Sequence, residues 1–168
     1  VVPDIVSMAK STGNGYPLGA VVTSRAIAYA FRSQGYFFSS TGGSPLSCAI
    51  GMTVLDVLHD EGLQRNASLV GAHLKSRLQA LAAKHPIIGT VHGVGLYLGV
   101  EMVRDTQTLE PATEETGLIC DRMLELGVII QPTGDHQNIL KTKPPLCIDT
   151  ESADFYVDTL DRVLTEGW

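Results

Sequence analysis

The sequence is short of positive charge. Twelve lysines and arginines stand against eighteen aspartates and glutamates, a net charge of −6, and no basic run or basic–aromatic stripe gathers the cations that exist. Nucleic acid is therefore not an expected partner. Long apolar runs are also missing: no stretch is both long and clean enough to cross a bilayer, so no membrane is expected either. No secretory leader pattern opens the chain. Cysteine is scarce: Cys48, Cys120 and Cys147 form no Cys-x-x-Cys pair, and no histidine stands at metal-ligand spacing from them. A disulfide framework and a zinc site are both excluded as organising elements, and no metal is expected. The three thiols read as reduced, buried and inert in a cytoplasmic protein. Asn66-Ala67-Ser68 fits a glycosylation sequon but falls in a predicted helix, and reads as chance.

Several familiar motifs are absent too. Gly13-x-Gly15 and Gly93-x-Gly95 lack the third glycine and the helix start of a dinucleotide fingerprint. No serine sits in a Gly-x-Ser-x-Gly elbow. The five histidines are dispersed, and only His92, between a strand and a glycine turn, invites attention. Val1 stands where a methionine would begin a chain, close to strand-like sequence, so these residues read as part of a longer protein.

What is present suffices for a core: 168 residues, 44% of them hydrophobic. Val1 to Lys10 reads as a strand, Ser11 to Gly19 as a loop, and Ala20 to Thr23 as a second short strand. Ser24 caps a predicted helix over Arg25 to Arg32. Ser44-Pro45 starts a helix reaching about Asp60, with a suitable cap and a proline in the first turn. Leu46, Ile50, Val54 and Leu58 mark one face, and Ala49, Met52, Leu55 and Val57 fill the others, so this helix is expected to be buried. Leu63 to Lys84 is an amphipathic helix with Val70, Leu74, Leu78 and Leu81 on one side. Ile87 to His92 and Leu96 to Val103 read as strands around Gly93-Val94-Gly95. Thr113 to Leu126 is a helix with Glu114 and Glu115 in its first turn, where the helix dipole favours them. Val128 to Gln131 and Asn138 to Lys141 read as short strands, and Asp149-Thr150 caps a last helix. The sum is an α/β chain whose front third, to about Gly62, is rich in glycine loops and whose remainder alternates helices with short strands.

Three places carry potential chemistry. Lys10 ends an apolar run and opens the loop Ser11-Thr12-Gly13-Asn14-Gly15-Tyr16-Pro17-Leu18-Gly19. An amine delivered to the end of a buried strand can lose its proton by desolvation and attack an aldehyde; a solvated lysine after a strand is the plain alternative. Phe37-Phe38-Ser39-Ser40-Thr41-Gly42-Gly43-Ser44-Pro45 leads small residues and hydroxyls into a helix N-terminus, which suits a phosphate or serves only as a cap. Asn138-Ile139-Leu140-Lys141-Thr142-Lys143-Pro144-Pro145 alternates lysines on a strand, where a cation can meet an anion as a point charge or simply be solvated.

Taken together, Pro3-Asp4-Ile5-Val6, Lys10, Gly13-x-Gly15, Tyr16-Pro17-x-Gly19-Ala20 and Gly42-Gly43-Ser44-Pro45 resemble the class III aminotransferases, over essentially the whole chain and as the carboxyl-terminal part of that family. The resemblance implies a pyridoxal-phosphate (PLP) enzyme of the type I, aspartate-aminotransferase-like fold, with residues 1–62 from the large cofactor domain and 63–168 as the small domain. It implies that Lys10 is catalytic and holds the cofactor as a Schiff base. It places the phosphate-binding hydroxyl on Ser40, with Thr41 as a substitute, serving the neighbouring subunit of a homodimer with shared active sites. The family's asparagine before Pro45 is Ser44 here, and its arginine before the Gly-x-Gly turn is His92. At the family's substrate-carboxylate arginine stands Lys141, which cannot reproduce the bidentate fork. Glu110-Pro111-Ala112-Thr113 and the run from Gly134 to Pro145 resemble the phospho-lyase branch, which removes ammonia and phosphate from phosphorylated amines. Two reactions are thus implied, amino transfer from a small amine or amino acid to a 2-oxo acid, and phospho-lysis. A third possibility is an incompetent fragment, since the family's upstream acid and aromatics for the pyridine ring are not in this chain.

Overall fold

A computed structural model describes Val1–Trp168 and divides into two compact units, Val1–Gly62 and Leu63–Trp168. In the first, β1 (Ile5–Met8) pairs antiparallel with β2 (Ala20–Thr23), Ile5 opposite Thr23 and Met8 opposite Ala20. A single 3-10 turn, Lys10–Gly13, follows β1. Helix α1 (Arg25–Ser33) starts where the Ser24 hydroxyl accepts from the Ile27 amide. Helix α2 (Pro45–Asp60) starts on the Ser44 hydroxyl, with proline in its first turn.

The apolar girth of α2 predicts burial, and the structure corrects that: none of its residues is buried, and Met52 and Leu55 are each 58% exposed. Gly13 is the one buried residue in the whole unit. Helix-forming residues and a good cap suffice to make α2 a helix. Burial needs a neighbour on each face, and residues 1–168 do not supply one for α2.

The second unit contains the core. Helix α3 (Leu63–Lys84) turns Val70, Leu74, Leu78 and Leu81 inward, at the spacing read from the sequence. An antiparallel sheet receives them: β3 (Ile88–Val94), β4 (Tyr97–Asp105), β5 (Glu110–Pro111), β6 (Pro132–Thr133) and β7 (Ile139–Thr142), in the order β3-β4-β7-β6 with β5 alongside β4. Leu98, Val100 and Met102 alternate toward the core along β4, as the pleat requires. Helices α4 (Thr113–Glu125) and α5 (Thr150–Glu166) close it with Ile119, Met123, Val157 and Leu160.

Gly93-x-Gly95, set aside above as a nucleotide loop, makes the β3–β4 hairpin: Val94 pairs with Tyr97, leaving Gly95-Leu96 as a two-residue turn whose first position has a φ of +60°. The hairpin also meets α3 backbone to backbone, so closely that a Cβ on Gly71 would lie 2.2 Å from the Gly95 carbonyl carbon.

Two further expectations change. Val128 to Gln131 joins no ladder, and strand pairing begins only at Pro132. The Val128 amide donates back to the Met123 carbonyl to finish α4, which takes that end of the segment out of the sheet. The thiols are also less uniform than expected, since Cys120 is buried but Cys48 and Cys147 are exposed. Burial pushes the Cys120 thiol up to about 11, with Asp121 adding to the effect, so it stays protonated and inert.

Candidate functional site

The β1–β2 ladder ends at Met8. Ala9 is still extended, and Lys10 then takes a φ of +56°. A lysine in the left-handed region is uncommon, because its Cβ crowds the following carbonyl at a cost of about 1–2 kcal/mol. The turn after it is fully wired. The Thr12 amide and hydroxyl both donate to the Ala9 carbonyl, the Asn14 amide to Ser11, and the Tyr16 amide to Gly13.

Helix α2 braces this loop. The Tyr16 hydroxyl lies 3.3 Å from the Ser47 hydroxyl, which in turn lies 2.7 Å from that of Ser44. Leu18 packs so closely on the helix that a Cβ on Gly51 would come within 2.9 Å of its Cδ2. The Lys10 amine makes no hydrogen bond and no ion pair. It is exposed, as is every residue of β1, so the burial expected around it is not supplied by these residues.

The hydroxyl loop divides its labour. The Ser39 hydroxyl accepts from the Gly42 amide at 2.9 Å, and the Ser44 hydroxyl accepts from the Ser47 amide at 3.2 Å. A side chain on Gly42 would collide with Ser39, and Gly43 holds a φ of +72°, so the turn needs both glycines. Ser39 and Ser44 are thus consumed by the turn and the cap. The hydroxyls of Ser40 and Thr41 are exposed and without partners. They stand just ahead of the first turn of α2, where unpaired amides and the helix dipole favour an anion. A free amine on a wired turn and two free hydroxyls before a helix N-terminus fit the aldehyde and the phosphate of PLP respectively.

Lys141 lies in the second unit, on β7 opposite Gly99 of β4. Leu140 and Thr142 face the core, so Lys141 and Lys143 emerge on the other side. Both line a cavity of 720 Å³ with Gln131, Leu74, Ile148 and Phe155. No acidic residue lines it, and neither lysine has an ion-pair partner. Lys143 as a second cation was legible only as alternation; its place at the cavity was not. His92, at the family's arginine position, sits 3.1 Å from Glu101 across the hairpin and is half exposed.

The chain matches the description "Aminotransferase class-III" over residues 1–164. It belongs to the class III aminotransferase family. Among curated relatives it is similar to "Alanine--glyoxylate aminotransferase 2 homolog 2, mitochondrial" of Arabidopsis thaliana, 50% identical over 99% of this chain and 35% of the relative. Among solved structures it is similar to a phospholyase from Arthrobacter in complex with phosphoethanolamine, with a TM-score of 0.94 and 34% identity over 100% of this chain and 40% of the other. It is also similar to an amine transaminase from an uncultivated Pseudomonas species in its PLP-bound form, with a TM-score of 0.88 and 32% identity over 99% of this chain and 39% of that one. These likenesses carry the type I fold that the sequence motifs implied. The chain spans about a third of the length of the curated relatives it matches. No helix is long and apolar enough to cross a membrane.

Proposed function

We propose that the whole protein is a PLP-dependent enzyme with Lys10 as its catalytic lysine, moving an amino group from a small amine or amino acid to a 2-oxo acid. The observation that carries this reading is the unpaired Lys10 amine, held on a wired turn that α2 braces. PLP, when bound, supplies the electron sink that makes the carbon–hydrogen bond beside the substrate amine labile. The chain supplies the rest. Lys10 holds the cofactor covalently through Nζ and, once released, takes the proton from the substrate carbon that bears the amine. Ser40 and Thr41 donate their free hydroxyls to the cofactor phosphate of the neighbouring subunit, in a homodimer with shared sites. Residues 1–62 then belong to the large domain and 63–168 form the small one.

Lys141 favours a second reading. A point cation in an acid-free cavity suits a phosphate at least as well as a carboxylate, because it cannot offer the planar fork. On this reading the enzyme releases ammonia and phosphate from a phosphorylated amine. As for the compartment, we infer the cytoplasm or, by analogy with the Arabidopsis relative, the mitochondrion. Both are reducing, as three unpaired cysteines prefer.

The test is borohydride reduction of the whole protein loaded with PLP. Wild type is expected to retain the cofactor covalently on Lys10, and Lys10→Ala to retain none. Cofactor fixed in the variant would remove Lys10 from its role. A product assay separates the two reactions: nitrogen transferred from alanine to glyoxylate means transaminase, and free phosphate with ammonia from phosphoethanolamine means lyase. Residues 1–168 on their own, mixed with PLP, test the fragment reading, which predicts no covalent capture.

A further inference from the structure

We propose that Asn66 is a positioning residue for the cavity wall that carries Lys141 and Lys143. The proposal rests on the reading of Lys141 as the contact for the substrate's anionic group. The backbone wiring has a gap after β7. The β7 ladder ends at Thr142, opposite Leu98 of β4. Pro144 and Pro145 follow and have no N–H to donate. From Lys143 to Ile148 the one backbone–backbone bond is Ile148 N–H to the Pro145 carbonyl, at 3.1 Å. Yet Lys143, Pro144, Pro145 and Ile148 all line the cavity, so something else must fix this segment if the wall is to keep its shape.

Asn66 closes that gap. Its amide nitrogen lies 2.7 Å from the Leu146 carbonyl and 2.9 Å from the Ile148 carbonyl, reaching across 80 and 82 residues of sequence. An asparagine amide has two hydrogens, and both find acceptors here. Both neighbours are carbonyl oxygens, so the nitrogen and not the oxygen must face them. Asn66 is half-buried near the start of α3, while Leu74 of the same helix lines the cavity. The clamp therefore ties the diproline loop to the helix that reaches the cavity through Leu74, without itself lining the cavity. It also accounts for Asn66-Ala67-Ser68 without a glycan, since the amide that a glycan would occupy is already committed.

The test is steady-state kinetics on the whole protein loaded with PLP, with phosphoethanolamine and L-alanine as donors. Asn66→Ala removes both donated bonds. It should raise KM for the donor by about three- to tenfold, the net effect of one or two hydrogen bonds, with kcat within about twofold of wild type. Asn66→Asp sets a carboxylate against two carbonyls and should raise KM further, while Asn66→Ser, with one donor, should fall between wild type and alanine. A melting temperature that drops in Asn66→Ala with KM unchanged would make the clamp merely structural and overturn the proposal. Lys141→Ala runs alongside: if its KM is also unchanged, Lys141 is not the anion contact and the reading beneath has failed. If Lys141→Ala raises KM and Asn66→Ala does not, the positioning role alone has failed.

Discussion

Residues 1–62 and 63–168 are both rich in apolar side chains, and they use them in opposite ways. Every buried apolar side chain of the chain lies between Val70 and Leu164. In the first unit Val21, Phe38 and Leu55 are all more than half exposed, and Gly13 alone is buried. Yet the first unit is locally well formed. Its strands pair, its helices are capped by serine hydroxyls, and its turns close their hydrogen bonds. Hydrogen bonds and caps set local geometry, whereas stability comes mostly from burial. Within these 168 residues, about a third of the length of the curated relatives, the catalytic lysine and the phosphate loop proposed above sit on the unit whose apolar faces are left uncovered.

The sharpest way to break this comparison is to separate the halves. Residues 63–168 alone should unfold cooperatively by circular dichroism. Residues 1–62 alone should show no cooperative transition, and a sharp one would refute the contrast. Next in size, Leu74→Ala should cost about 2–5 kcal/mol in urea unfolding, because Leu74 is fully buried and leaves a cavity behind. Leu55→Ala on exposed α2, made in residues 1–168, should cost within about 0.5 kcal/mol. Equal costs would refute the contrast.

Gly71→Ala should follow, at about 1–3 kcal/mol, since the new methyl meets backbone that has little room to move. The smallest effect is electrostatic. Asp161 accepts from Lys84 and from His85 Nε2, and these partners hold its carboxyl below the ordinary 3.8. A depressed carboxyl adds stability that is complete above the unfolded value and is lost as pH falls through the lower folded one. Asp161 is a third exposed, which keeps the effect small. The stability gap between wild type and Asp161→Asn should therefore be widest near about pH 7 and shrink below pH 3.8. A gap independent of pH would assign the effect to packing.

Much of the second unit was legible because its periodicities and its surroundings agree. The bounds of α3 match the sequence reading, and the inward residues are those at helical spacing. Local chemistry was equally legible in the first unit: the Ser24 and Ser44 caps appear where the sequence placed them. The burial of α2 was not, because an apolar helix records that a partner is wanted and not whether one is present. Val128 to Gln131 has the composition of a strand, but strand formation needs a free neighbouring edge in register, which composition does not encode. At the site, Lys10 stood out through its glycine loop, while its left-handed backbone and the free state of Ser40 and Thr41 depend on which neighbouring hydroxyls the turn consumes. The Asn66 clamp spans more than half the unit's length and leaves no local trace beyond one asparagine in a helix.

That asparagine has a practical consequence for producing the protein. In a secretory host the Asn66-Ala67-Ser68 sequon would be read during synthesis, before α3 and the diproline loop have met. A sugar attached there would replace one of the two amide hydrogens and place a bulky group where the Leu146 and Ile148 carbonyls should dock. Material secreted from such a host should carry a displaced loop and behave like a mixture of clamped and unclamped forms, while a bacterial host avoids the problem altogether.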